Sequence, residues 1–126
     1  LAAYLGSLEP PPSPFLAADG GLSAAAARGR ALFASPRAAC TSCHAGADFT
    51  SPGLHDVGLA GPDDRWREFS PPTLRGLHRK TLYLHDGRAK SLAKLLGGPH
   101  GPDVVSGLEP LSAEEIDDLV AYLVSL

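Results

Sequence analysis

Cys40-Thr41-Ser42-Cys43-His44 decides how this chain is read. Two cysteines with two residues between them, and a histidine directly after the second, form the attachment pattern of a c-type haem. Each thiol adds to one haem vinyl group as a thioether, and the histidine then sits beneath the iron as its proximal ligand. Other chemistries fit less well. A thioredoxin-like pair calls for a βαβ setting, which the surrounding sequence does not offer. A structural zinc site needs four N or S ligands at characteristic spacing, but there is no second cysteine pair, and His78 and His85 lie too far off to complete a finger. A disulfide between Cys40 and Cys43 would leave His44 without a role. One covalent haem c is the expected cofactor.

Composition supports a haem-filled interior. A chain of 126 residues is one domain, with room for a short appendage. Its 14 glycines and 12 prolines make 26 residues, about a fifth of the chain against about an eighth on average. So loop-rich a chain has little core of its own, and a flat apolar haem would supply much of what is missing. The formal charge is −3 with a pI near 5.9, and no basic concentration suggests nucleic acid. No apolar run approaches the length of a membrane span, and no leader is visible at Leu1. The first residue is not Met, which reads as a piece of something longer. Haem attachment through thioethers implies export, so the periplasm is the expected compartment if the source is bacterial.

The two ends of the chain echo each other. Residues 1–8, LAAYLGSL, match residues 119–126, LVAYLVSL, at six of eight positions. The second copy closes a helix, so the first is expected to close one too, as the tail of a preceding, similar haem domain. Glu9-Pro10-Pro11-Pro12-Ser13-Pro14 cannot continue a helix and reads as a semi-rigid spacer. The division expected is therefore residues 1–20 as tail and Pro-rich linker, and residues 21–126 as a mono-haem domain.

Within that domain Leu22 to Ala34 reads as a helix with Ser23 as its N-cap. Leu22 and Phe33 fall near one face, and Phe33 is a candidate haem-edge contact or an ordinary core residue. Residues 45–72 lack periodicity and read as a loop around the haem edge, in which Trp66 packs on the haem or anchors the loop. A short helical turn is expected after Ser70-Pro71-Pro72, and a short helix over Ser91–Leu96, ended by Gly97-Gly98-Pro99. Ser112 and Glu115 make a capping box for a terminal helix, with Ile116, Leu119, Val120 and Leu123 as its buried stripe. The result is an all-α arrangement like that of a class I cytochrome c, with few helices and long loops around one covalent haem.

Phe69-Ser70-Pro71-Pro72-Thr73-Leu74-Arg75-Gly76-Leu77, followed by Leu82-Tyr83-Leu84-His85-Asp86-Gly87-Arg88, resembles the di-haem cytochrome c peroxidases and the related methylamine-utilisation maturation enzymes. With the terminal helix, the resemblance spans roughly residues 23–126 and is closest to the family's second haem domain, on motifs that are hypotheses. It implies that Tyr83 and His85 lie beside the haem. Arg75 and Arg88 sit in the same stretches and are candidates to bind the propionates bidentately. Arg65 and Arg67 read as solvated. Two departures stand out. Leu82 replaces the family's proline before the tyrosine, and the chain has no Met, the residue that often supplies the sixth iron ligand in this domain.

The candidates for that ligand are His100, His85, His55, His78, Tyr83, a lysine or nothing. His100 is preferred, because His100-Gly101 lies about where the family places its methionine. Two histidine ligands would make the domain an electron relay, at lower potential than a His/Met haem. Its partner would be another haem domain of the same parent chain or a soluble redox protein. The alternative is a peroxidase-type domain with five-coordinate iron, in which His85 or a glutamate assists O–O cleavage as acid and base.

Overall fold

The computed structural model describes residues 1–8 and 11–126. Five helices carry the chain: α1 (Ala2–Gly6), α2 (Ala24–Phe33), α3 (Leu92–Leu96), α4 (Pro102–Ser106) and α5 (Ala113–Ser125). Two 3₁₀ turns, Cys40–Ser42 and Leu77–Arg79, punctuate the long loops. Extended pairing among the described residues is confined to two isolated antiparallel bridges, His55 with Phe69 and Tyr83 with Ala89. The all-α reading holds. No helix among the described residues is long and apolar enough to cross a membrane.

The caps fall where the side chains predict them. Ser23 accepts from the Ala26 N–H and opens α2. Ser91 does the same for α3 through Lys94. At α5, Ser112 Oγ accepts from Glu115 N while Glu115 Oε2 accepts from Ser112 N at 2.8 Å. Each device satisfies backbone donors that the first turn of a helix leaves open. Helix α4 is not foreseen by the sequence reading. It is five residues long, too short for periodicity to appear, and is bounded by Pro102 at its start and by Gly107 in the left-handed conformation.

Helices α2 and α5 pack directly on each other. Gly29 sits at the contact: a Cβ there would run into the Asp118 carbonyl and stand 2.9 Å from Tyr122 Cβ. The stripe of α5 is rotated from the expected one as a result. Leu119, Tyr122 and Leu123 are buried, whereas Ile116 and Val120 lie at the margin. Asp118 is buried beside them and takes a two-pronged hydrogen bond from Arg28, Nε to Oδ2 at 2.7 Å and Nη2 to Oδ1 at 2.6 Å. Arg37 adds a second tie, donating to the carbonyls of Glu109 and Pro110 and to Glu115 Oε2. The rest of the core comes from Leu74, Leu77 and α3, whose Leu92, Leu95 and Leu96 are buried.

The N-terminal echo is helical, as expected, but lies open. Leu1 and Tyr4 are 94% and 64% exposed, while their counterparts Leu119 and Tyr122 are 1% and 6% exposed. The proline segment is more than a spacer. Ser13 is buried, donating from Oγ to the Val124 carbonyl at 2.6 Å and accepting from Phe15 N, so residues 11–15 lie against the end of α5. Glu9 and Pro10 of that segment fall outside the described residues.

At an exposed helical site Gly→Ala is stabilising by about 1 kcal/mol. At Gly29 the sign reverses, because the added methyl meets backbone that cannot yield. Thermal unfolding of the haem-loaded Gly29→Ala protein is expected to show a loss of about 3 kcal/mol, the upper end for overpacking. An unchanged or raised Tm would mean that the crossing is looser than described.

Candidate haem site

The attachment motif begins on a strained corner. Ala39 has φ 53°, a left-handed value that a non-glycine residue rarely adopts. Cys40–Ser42 then winds as a 3₁₀ turn, and the N–H groups of Cys43 and His44 both donate to the Cys40 carbonyl. The turn holds two thiols and an imidazole within five residues. Both cysteines are half-buried and free of a disulfide. Burial pushes the Cys40 thiol up to about 11, so it remains a neutral thiol at neutral pH.

His44 is oriented by its own loop. Its Nδ1 lies 3.0 Å from the Phe49 carbonyl oxygen. A carbonyl can only accept, so Nδ1 carries the proton and Nε2 is bare, the tautomer that an iron ligand requires. Burial holds the imidazole below its ordinary pKa, opposed by hydrogen bonding to the Phe49 and Pro72 carbonyls. The loop that supplies Phe49 is tied down on both sides. Ser51 Oγ donates to the Cys43 carbonyl, Thr50 Oγ1 to the Pro71 carbonyl and Thr73 Oγ1 to the Asp48 carbonyl.

His100 faces His44. The ring centroids are 6.3 Å apart and the ring planes nearly perpendicular. His100 arrives by a tight turn after α3, with its N–H donating to the Leu95 carbonyl and Gly101 N donating to the Gly98 carbonyl. Its Nδ1 is shut away from water without a partner. Burial holds His100 below its ordinary pKa, and the nearby His44 adds to the shift. The structure thus brings together Cys40, Cys43, His44 and His100 from segments 60 residues apart in sequence.

Phe33, Arg75, Arg88, Tyr83 and His85 are engaged with protein groups. Phe33 is buried in an aromatic cluster with Phe49 and Tyr122, at centroid distances of 6.0 and 5.5 Å. Arg75 donates to Asp48 Oδ1 and to the Ala47 carbonyl, bracing the loop after His44. Arg88 donates to Asp86 Oδ2 and to the Leu59 carbonyl. Tyr83 Oη donates to the Lys80 carbonyl. His85 stacks on Phe69 at 4.3 Å, and its Nε2 is 2.8 Å from Asp64 Oδ2. Asp64 is held below the usual carboxylate range, first by the Gly61 N–H and then by His85. Trp66 is 67% exposed and carries the Arg65 guanidinium 5.1 Å from its ring centre.

Sequence reasoning missed Phe49, Tyr122 and Asp118. Phe49 follows His44 by five residues in a stretch without periodicity, so nothing marks its carbonyl as the histidine's partner. Asp118 is a charge beside a buried stripe, and its Arg28 partner lies 90 residues away.

The family model for cytochrome c matches residues 26–126. Among curated proteins, the hydrazine synthase subunit gamma of Kuenenia stuttgartiensis is 30% identical over all of this chain and 48% of its own length. The methylamine utilization protein MauG of Methylorubrum extorquens is 33% identical over all of this chain and 42% of its own length. The chain thus spans about half the length of the curated relatives it matches. Among solved structures, hydrazine synthase of Kuenenia stuttgartiensis superimposes with a TM-score of 0.75 at 29% identity, over 98% of this chain and 52% of that one. A MauG-like protein associated with microbial copper homeostasis shares the fold, with a TM-score of 0.68 at 24% identity over 89% of this chain and 49% of that one. With the C-x-x-C-H attachment motif inside the matched region, the chain belongs to the cytochrome c family and is a haem-binding electron-transfer domain homologous to MauG and to hydrazine synthase subunit gamma.

Proposed function

We propose that this domain is a one-electron relay built on a single haem c, joined to Cys40 and Cys43 and held at the iron by His44 and His100. The observation that carries the reading is the opposed pair of imidazoles at 6.3 Å. Two metal–nitrogen bonds of about 2 Å each account for roughly 4 Å of that gap, and the half-widths of the two rings for the rest. The haem supplies a ferric/ferrous couple. The chain's own residues hold two neutral, largely buried imidazoles opposite each other. Phe49 fixes the tautomer of His44, and the turn after α3 fixes the position of His100. Both ligands stay in place during electron transfer, which keeps reorganisation small. With two histidines and no methionine, the couple lies below that of a His/Met haem.

The peroxidase alternative needs an open iron position and a free acid–base group beside it. Its natural candidate, His85, is occupied by Asp64 and stacked on Phe69. No observation favours that reading over the relay.

The relay's partner is a second haem domain of a longer, exported, periplasmic protein, with a soluble redox protein as the other candidate. Support comes from α1. Its segment, residues 1–8, repeats residues 119–126 at six of eight positions, yet exposes Leu1 and Tyr4, whose counterparts in α5 are buried. A preceding domain with its own α2-like helix would cover that face. The longer protein's reaction is a redox one that this domain feeds with electrons.

Two measurements test these assignments. The ferric protein is expected to give a low-spin absorption and EPR spectrum with two imidazole ligands. His100→Ala converts it to high-spin, while His85→Ala leaves it low-spin. A high-spin wild-type spectrum would sink the ligand assignment and call for a peroxide-turnover assay. In the longer protein, iron analysis is expected to find more than one haem per chain, and a ratio of one would remove the preceding haem domain.

A further inference from the structure

Three imidazole nitrogens among the described residues are closed off from water with no hydrogen-bond partner: His55 Nε2, His78 Nδ1 and His100 Nδ1. The last belongs to the proposed iron ligand. His78 lies within the 3₁₀ turn Leu77–Arg79, where its Nε2 accepts from Arg79 Nε and its ring neighbours Phe15. His55 has no such account. An enclosed polar atom left unpaired costs about 1–3 kcal/mol, and the backbone holds the residue firmly. His55 N donates to the Phe69 carbonyl and Phe69 N to the His55 carbonyl, both at 3.0 Å. Four residues earlier Ser51 is tied to the Cys43 carbonyl, so the loop carrying His55 is anchored on the haem motif itself.

Gly53 lies beside His55 Nε2. Its φ of +140° favours glycine, and a Cβ there would stand 3.4 Å from Nε2 with no other atom within 4 Å. The missing partner is therefore a polar group that arrives with the cofactor. Apart from its iron and ring nitrogens, a haem offers only two such groups, the propionate carboxylates; the rest of its edge is hydrocarbon.

We propose that His55, with its proton on Nε2, donates a hydrogen bond to a haem propionate beside Gly53 when the cofactor is bound. The inference rests on the haem reading above. A bond from an N–H to an ionised carboxylate is short and strong. It draws negative charge away from the iron and favours the ferrous state. His55 is on this account a positioning and tuning residue for the cofactor, not an iron ligand.

The test compares haem-loaded wild type with His55→Leu and His55→Gln. It reads the midpoint potential and the propionate bending band in the resonance Raman spectrum. His55→Leu is expected to lower the ferrous-to-ferric ratio at a fixed solution potential about tenfold, about 59 mV for a one-electron couple, and to move the propionate band. His55→Gln keeps an N–H donor of similar reach and restores most of both. An unchanged potential and band in the leucine variant overturns the proposal, even if its Tm falls, and so does a glutamine variant that behaves like leucine. Should the leucine variant not fold, His55→Asn takes its place: polar but too short, it is expected to lie below His55→Gln in potential, and equality overturns the proposal. Lack of a c-type haem spectrum in the wild type would instead bring down the haem reading itself.

Discussion

Gly29 lets two helices meet through their backbones, and the rest of the molecule hangs on that contact. With no side chain at the crossing, the Asp118 carbonyl and Tyr122 lie directly on α2. Interiors are packed like crystals, so a single methyl group at such a point has nowhere to go. The crossing fixes the direction in which the chain leaves α2, and seven residues after Phe33 the attachment motif begins. It also brings Tyr122 to Phe33 and Phe49, and so connects the terminal helix to the loop that orients His44. The Arg28–Asp118 pair braces the same contact directly, and the Arg37 clamp holds the start of α5.

The haem-binding face is made of loops, and loops hold a site only when their polar groups are tied down. Here short side chains do that work. Ser51, Thr50 and Thr73 each donate to a carbonyl on a neighbouring segment, and Arg75 and Arg88 each donate to one carboxylate and one carbonyl. The loops thus become a frame in which two neutral imidazoles stand opposite each other. Their neutrality follows from burial, which disfavours the charged ring, and it leaves a nitrogen lone pair on each for a metal.

The relatives place this frame in larger proteins. This chain matches 48% of the length of hydrazine synthase subunit gamma and 42% of that of MauG, and the superposition with hydrazine synthase covers nearly all of it. Within this chain Tyr4 of α1 is exposed, while the strap at Ser13 docks on the end of α5.

The sequence by itself determined the local events. C-x-x-C-H names its cofactor because thioether chemistry demands that spacing. Ser23, Ser91 and Ser112 mark the helix starts because a hydroxyl there satisfies donors only a few residues away. Short range also explains why α4 and the exact face of α5 were not legible: five residues show no period, and the rotation of α5 depends on Gly29, 89 residues before Asp118. Only the tertiary structure decided that His44 takes its tautomer from the Phe49 carbonyl, that His100 rather than His85 stands opposite it, and that His85 is taken by Asp64. Those are facts about loops meeting loops, and no periodicity or cap in a single chain encodes where two irregular segments will touch.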